Sequence, residues 1–387
     1  MNILHISTHN ENCGIGKYQE FYLKAMTAVD SSVKHAFFPY SPNKMRLMSD
    51  KNFAVVCNEL LQQLAQYDLV HIQHEFSFYK AKHLAEIVSI IKSAHKPLVS
   101  TVHTGPTLEK TTRHILSPKG IPARLKNHVR NASHINLVNP LSRADVTFVH
   151  NNFTKEALLE IGFDKHNIRV IPIPVPEVSI KDLKKYESQV ANINLHINRN
   201  EGDVVLATVG FLNEVKGVFQ AIKMLRWLPA NYKLTILGGI HPLAGNDVFL
   251  DYVADYILDH DLKNRVYITG FVKDDELLNA YVANSDVVLY PYYKIYSSSS
   301  AALNNGFANY KPLVATPVKA FLEINNADNF IVITESFSYH DLAEKIINLE
   351  PSQIEYQSDM SRLYAKNNSY PKMAEALLST YRSLVTK

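Results

Sequence analysis

The sequence predicts an α/β protein built from two Rossmann-like, doubly wound parallel-sheet domains. Short apolar runs alternate with helix-spaced segments along the whole chain. Glycine, serine or histidine repeatedly follows the carboxyl end of a run, where a parallel sheet presents its ligands. One polar, proline-punctuated stretch divides the series in two.

In the first series the expected strands are Asn2–Ile6, Val33–Phe37, Leu69–Gln73, Leu98–Val102, Val146–His150 and Ile168–Ile171. Their Val, Ile and Leu content suits strands buried on both faces. Helical spacing appears over Lys17–Ala28, Asn52–Ala65 and Lys80–Ser93, and Phe153–Ile161 opens on a good capping turn. Pro172, Pro174 and Pro176 then break the pattern. Lys181 to Asp203 is rich in Lys, Asn, Glu and Ser, so a linker is expected there, with the hinge near residues 178–203. A second series follows with Val204–Val209, Lys233–Leu237, Arg265–Thr269, Val287–Tyr290, Leu313–Ala315 and Phe330–Ile333. The domains expected are 1–185 and 186–369, facing each other across a cleft.

Composition excludes several classes. A length of 387 residues suffices for two or three domains with sizeable cores. Hydrophobic content of 46% and charged content of 20% fit a globular protein. A net charge of +3 is too near neutral to argue for nucleic acid. Two cysteines, Cys13 and Cys57, make no disulfide framework and fit a reducing cytoplasm. The first residues read as a strand and not as a signal peptide, and no apolar run is long enough to span a membrane.

The most informative stretch runs from Asp286 to Thr316. An apolar strand enters four serines, Ser297 to Ser300, and a helix and second strand follow. A helix start offers free N–H groups and a positive partial charge, which suits a phosphate. Serine hydroxyls can cap such a helix or bond phosphate oxygens. Val209-Gly210-Phe211 leads to Lys216-Gly217 at the next helix start, where the ammonium can neutralise a diphosphate. Leu237-Gly238-Gly239 and Thr269-Gly270-Phe271-Val272 are further glycine-bearing strand ends, and together they form a nucleotide-sized crevice.

In the first series, Gly14 and Gly16 follow strand one and allow a backbone turn that other residues resist. Gln19 stands where a dinucleotide fingerprint needs its third glycine, which argues against NAD. Asp68 to Glu75 carries His71, His74 and Glu75 at a strand end, but their order matches no common zinc motif. His71 and His74 also point to opposite faces of a strand, so a cleft-lining or structural role suits His74 and Glu75 better than metal. Thr101-Val-His103-Thr104 places His103 on a loop at the carboxyl edge of the sheet. From Thr107 to Ala132, Lys110, Arg113, Lys119, Arg124, Lys126 and Arg130 face one acid, Glu109. That basic face suits anionic lipid or an anionic substrate, or is simply a solvated face.

Taken in order, these segments resemble the GT-B glycosyltransferases of family GT4, a retaining, metal-independent group. The likeness rests on Gly14-Ile-Gly16, Thr101-Val-His103, Ala144 to His150, Gly210 to Gly217, Gly270-Phe271-Val272, Asp286 to Pro291 and Pro312 to Thr316. The closing Ser369-Tyr-Pro to Tyr381 resembles the family's last helix, which implies that 370–387 completes the N-terminal, acceptor-binding domain. The resemblance implies a nucleotide-sugar donor, most commonly a UDP-sugar, and a saccharide or glycolipid acceptor, with no cofactor and no metal. It implies that Gly16, Gly210, Phe211, Lys216, Gly239, Phe271, Val272, Ser298, Ser299, Ser300, Ala301 and Asn305 hold the donor nucleotide. His103 and Lys216 would act on the reacting sugar and its diphosphate. Gly14, His74, Glu75 and Thr104 would line the acceptor or sugar side.

Two departures stand out. The family's Glu-x7-Glu pair falls on Ser297 and Asn305, and a usual Arg falls on Phe211. A hydrogen bond to a charged group contributes roughly 1.5–3 kcal/mol against about 1 for a neutral one, so Asn305 implies weaker ribose binding. A non-catalytic sugar-nucleotide binder and a GT-B epimerase or hydrolase are the competing readings, the latter with Glu75 as its candidate acid-base group. The expected location is cytoplasmic, with the basic segment 110–130 in peripheral contact with the membrane.

Overall fold

The computed structural model describes all residues except 10–12, 107–131, 241–247, 294–299, 326–327 and 387, and the backbone alone at a few positions between 180 and 191. The chain divides into two compact units, Met1–Ile173 with Tyr370–Lys387, and Pro174–Ser369.

The first unit carries strands β1 (Asn2–Ile6), β2 (Lys34–Phe37), β3 (Leu69–His74), β4 (Leu98–Val102), β5 (Val146–Val149) and β6 (Ile168–Val170). They form one parallel sheet in the order β2-β1-β3-β4-β5-β6. Adjacent residues serve opposite faces. Leu4, Ile6, Val70 and Ile72 pack under helices Asp50–Gln63 and Ala81–Ser93. Ile3, Leu69, Val99 and Val146 pack with Tyr22, Met26, Leu377 and Tyr381 of helices Gly14–Val29 and Tyr370–Val385. Burial on both faces is why these strands read as largely apolar runs, with His5, His71 and Gln73 as buried polar exceptions. Each large side chain so buried contributes about 1.5–3 kcal/mol.

The second unit repeats the plan with β7 (Val204–Val209), β8 (Tyr232–Leu237), β9 (Val266–Ile268), β10 (Val287–Tyr290), β11 (Leu313–Ala315) and β12 (Val332–Ile333). All pair parallel, in the order β12-β11-β10-β7-β8-β9. The chain reverses its direction of winding between β1 and β3 in one sheet and between β7 and β10 in the other. Open α/β sheets bind ligands beyond the carboxyl ends of the strands at such points.

The linker expected at 178–203 is instead a helix, Ile180–His196. Ser179 and Asp182 close a capping box at its start. Its polar composition conceals a stripe, Tyr186, Ile193 and Ile197, buried in the second unit's core. Asn194 accepts from Asn284 at 2.9 Å, and Arg199 reaches Asp286 at 2.9 Å. This segment is therefore bound into the second unit. The division falls at Ile173/Pro174, not at 185/186.

Candidate active site

The winding reversal of the second sheet gathers Lys216, Tyr292 and Ser300. Lys216 Nζ donates to the Tyr292 hydroxyl at 2.7 Å and lies 4.1 Å from the centre of its ring. That hydroxyl bonds Ser300 Oγ at 2.6 Å. The loop is set by its backbone. Asn213 Oδ1 accepts from Lys216 N at 2.9 Å, and Tyr293 N donates to Val215 O at 3.0 Å. Gly217 has φ 68°, and a Cβ there would stand 1.6 Å from Pro291 O. Only glycine lets the β7 loop pass this close to the end of β10. Gly238 serves a similar end, since a Cβ there would meet the Gly210 carbonyl at 1.8 Å.

Phe211 and Phe271 stack, with centroids 5.9 Å apart and planes 5° from parallel. Phe271 is 54% exposed. Gly239 lies against the Phe271 backbone, and Val272 follows it on the same loop after β9. A cavity of about 660 Å³ opens at these strand ends, lined by Leu212, Asn213, Glu214, Gly217, Ile240 and Tyr293 among others. Phe211, Phe271 and Asn305 do not line it.

Of the two roles open to the serines, capping of the following helix is not seen. The helix spans Leu303–Ala308 with Ala302 as N-cap and no side-chain cap bond. Ser300's hydroxyl is turned to Tyr292 instead, and its carbonyl accepts from Leu303 N in the turn that carries Ala301. Asn305 Nδ2 donates to Ala302 O at 3.1 Å, while its Oδ1 takes no hydrogen bond among the described residues. Ser297, Ser298 and Ser299 lie outside the described residues, as does the basic segment 110–130.

In the first unit, His103 follows β4 and is held by its backbone N–H to His74 O at 3.1 Å. Both its ring nitrogens have partners. Nε2 lies 2.8 Å from Gln73 Oε1, and Nδ1 lies 3.1 Å from His150 Nε2. His150 Nδ1 is 3.0 Å from Ile171 O. Tyr18 sets its ring edgewise to both imidazoles, at 5.0 and 5.4 Å. Burial pushes His103 well below the usual histidine range and His150 down to about 4, so both rings are neutral near pH 7.

Thr104 Oγ1 donates to Glu75 Oε2 at 2.7 Å, and Phe76 N donates to Glu75 Oε1 at 3.0 Å. Burial nevertheless raises the Glu75 carboxyl. His74 is fully buried, its Nε2 bonded to Leu137 O at 3.2 Å, and burial brings it down to about 4. Thus His74, Glu75, Thr104 and His103 converge where β3 and β4 end. Gly14 differs from expectation. It lies in the first turn of helix Gly14–Val29, capped by Cys13 Sγ from Gly16 N at 3.2 Å, and a Cβ at 14 would touch nothing within 4 Å among the described residues. The turn therefore does not require glycine there. Sequence reasoning missed Tyr292, His150 and Gln73. Tyr292 sits in the serine segment, but nothing in a linear pattern marks a tyrosine as a lysine's partner.

Residues 24–177 match the model of Glycosyltransferase Family 4, and residues 192–367 match that of Glycosyl transferases group 1. The chain belongs to the GT-B glycosyltransferases. This glycosyltransferase is similar to Anabaena HepE solved with UDP, at 18% identity and TM-score 0.71, covering 99% of this chain and 100% of that one. A Rickettsia africae glycosyltransferase shows 14% identity and TM-score 0.71, covering 99% and 98%. Sucrose-phosphate synthase from Thermosynechococcus elongatus shows 16% identity and TM-score 0.67, covering 100% and 99%. At these identities the likeness is one of fold. No curated protein matches the sequence. The GT-B glycosyltransferase moves a sugar from a nucleotide-sugar donor. Among the described residues no helix is long and apolar enough to cross a membrane.

Proposed function

We propose that this glycosyltransferase takes its sugar from a UDP-sugar and passes it, with retention, to a saccharide or glycolipid acceptor. The carrying observation is the Lys216–Tyr292–Ser300 cluster at the winding reversal of the second sheet. An ammonium fixed in place by a phenol is preorganised for a diphosphate, and Asn305 Oδ1 suits a ribose hydroxyl. Gly210, Phe211, Gly239, Phe271, Val272, Ser298, Ser299 and Ala301 complete the donor contacts in this reading. His103 bonds a sugar hydroxyl, and Gly14, His74, Glu75 and Thr104 serve the sugar or acceptor.

In the reaction, the bond from the anomeric carbon to the diphosphate breaks and one to the acceptor oxygen forms on the same face. The leaving phosphate takes the acceptor's proton. Lys216 stabilises the departing charge, so positioning and electrostatics suffice without a side-chain nucleophile or a metal. Segment 110–130 brings the enzyme to anionic lipid, and salt-sensitive pelleting with anionic vesicles measures that part.

The test is calorimetric titration with UDP, GDP, ADP and CMP in chelated buffer. Micromolar binding of UDP is the expected result, and binding of none would overturn the reading. Slow donor hydrolysis separates a transferase from a non-catalytic binder. The anomeric configuration of the product, read by NMR, decides retention.

A further inference from the structure

The buried histidines of the first unit form a hydrogen-bonded chain whose direction can be worked out. Ile171 O can only accept, so the proton between it and His150 sits on His150 Nδ1. His150 is neutral, so its Nε2 carries a lone pair. His103 Nδ1, 3.1 Å away, must then carry a hydrogen and donate it. His103 is neutral as well, and its Nε2 is left as an acceptor. The group facing that nitrogen at 2.8 Å is the amide end of Gln73. An amide oxygen there would require a third ring proton on the histidine pair, and hence a buried charge. A half-turn of the amide presents its NH₂ instead and removes the conflict.

The rest of the network accepts this choice. After the half-turn the Gln73 oxygen faces the Tyr22 hydroxyl, the amide atom there lying 3.3 Å away. Tyr22 donates to it, and accepts from Gln19 Nε2 at 3.1 Å and from His5 Nδ1 at 3.2 Å. His5 Nε2 accepts from His35 Nδ1 at 3.1 Å. The turned Gln73 oxygen also faces His71 Nε2 at 3.4 Å, so His71 carries its proton there, within 2.8 Å of Thr101 Oγ1, and its Nδ1 accepts from the Tyr381 hydroxyl at 2.6 Å. Every donation from His35 through His5, Tyr22, Gln73, His103 and His150 to Ile171 then runs the same way. Aligned bonds of this kind polarise one another.

We propose that His150 is a positioning residue that holds His103 as its Nδ1–H tautomer, so that His103 meets a substrate hydroxyl as a hydrogen-bond acceptor at Nε2. The hydroxyl takes the place of the Gln73 amide. The inference rests on the reading of His103 given above and deepens it. It fixes the polarity of the contact, with the sugar donating, and names the residue that imposes it.

The test is the two-bond ¹H–¹⁵N correlation spectrum of ¹⁵N-histidine-labelled enzyme at neutral pH, with peaks assigned through His103→Gln and His150→Gln. The expected spectrum shows His103 and His150 each protonated at Nδ1 and bare at Nε2. His103 protonated at Nε2, or as an imidazolium, would overturn the proposal. His150→Gln places an amide oxygen toward His103 Nδ1 and is expected to keep the tautomer and most of the turnover. His150→Leu removes the acceptor. His103 is then expected to pass to the Nε2–H form, with kcat of donor hydrolysis down about tenfold and donor KM little changed. An unchanged tautomer in His150→Leu would also overturn it. If that variant does not fold, the wild-type and His150→Gln spectra decide. Expected spectra in an enzyme with no turnover would leave the tautomer standing and overturn the role assigned to His103.

Discussion

Lys216 meets Tyr292 twice, through a 2.7 Å hydrogen bond to its hydroxyl and through its ammonium 4.1 Å from the centre of its ring. A cation so restrained loses little entropy when an anion arrives, because its rotamers are already restricted. Tyr292→Phe keeps the ring and removes the hydroxyl that links Lys216 to Ser300. The expected result is a five- to tenfold weaker UDP affinity, about 1 kcal/mol, with uridine affinity unchanged. Calorimetry with both ligands measures it. An equal loss for uridine would place the effect away from the diphosphate.

Asn305 Oδ1 makes no hydrogen bond among the described residues. Asn305→Glu places a carboxylate where the resemblance to family GT4 implies one. A charged acceptor is worth about 1 kcal/mol more than a neutral one, so UDP affinity should rise about fivefold. An unchanged affinity would mean that the ribose does not reach this position.

His103→Ala is expected to lower kcat of donor hydrolysis far more than it weakens UDP binding, since the proposed role of the ring is on the sugar. Parallel steady-state kinetics and calorimetry read the two quantities. Equal losses would remove the positioning role.

Gly217→Ala is expected to destabilise the second unit. The φ of 68° costs a residue with a Cβ about 1–3 kcal/mol, and the overlap with Pro291 O adds to it. The urea midpoint should fall, and UDP affinity should fall with it, because Pro291 and Tyr292 must retreat from Lys216. A stable variant with full affinity would show that the close approach is dispensable.

Acid should weaken the first unit. Burial holds His71 down to about 3 and His74 and His150 down to about 4, while the unfolded chain titrates near 6.5. Between those values the unfolded state binds more protons, so stability rises with pH there and is lost as pH falls from about 6.5 toward 4. Each such histidine contributes on the order of 1 kcal/mol per pH unit within that window. Urea midpoints at pH 7.5, 6 and 5 measure the slope, and a flat profile would contradict it.

The sequence by itself determined the strands seen among the described residues, their grouping into two parallel sheets and the loops that carry His103, Lys216 and Ser300. These were legible because strands buried on both faces are mostly apolar, and because parallel sheets expose their loops at one edge. The helix at 180–196 was hidden, because its apolar stripe is spread among many polar residues and gains its meaning only against helix Asp275–Ala283. Tertiary structure alone decided who bonds whom. Tyr292 meets Lys216 from 76 positions away, and His150 meets His103 from 47. Periodicity records which side of an element is buried. It does not record which polar groups, brought out of water together, must satisfy one another, and that pairing sets the charge and tautomer of this site.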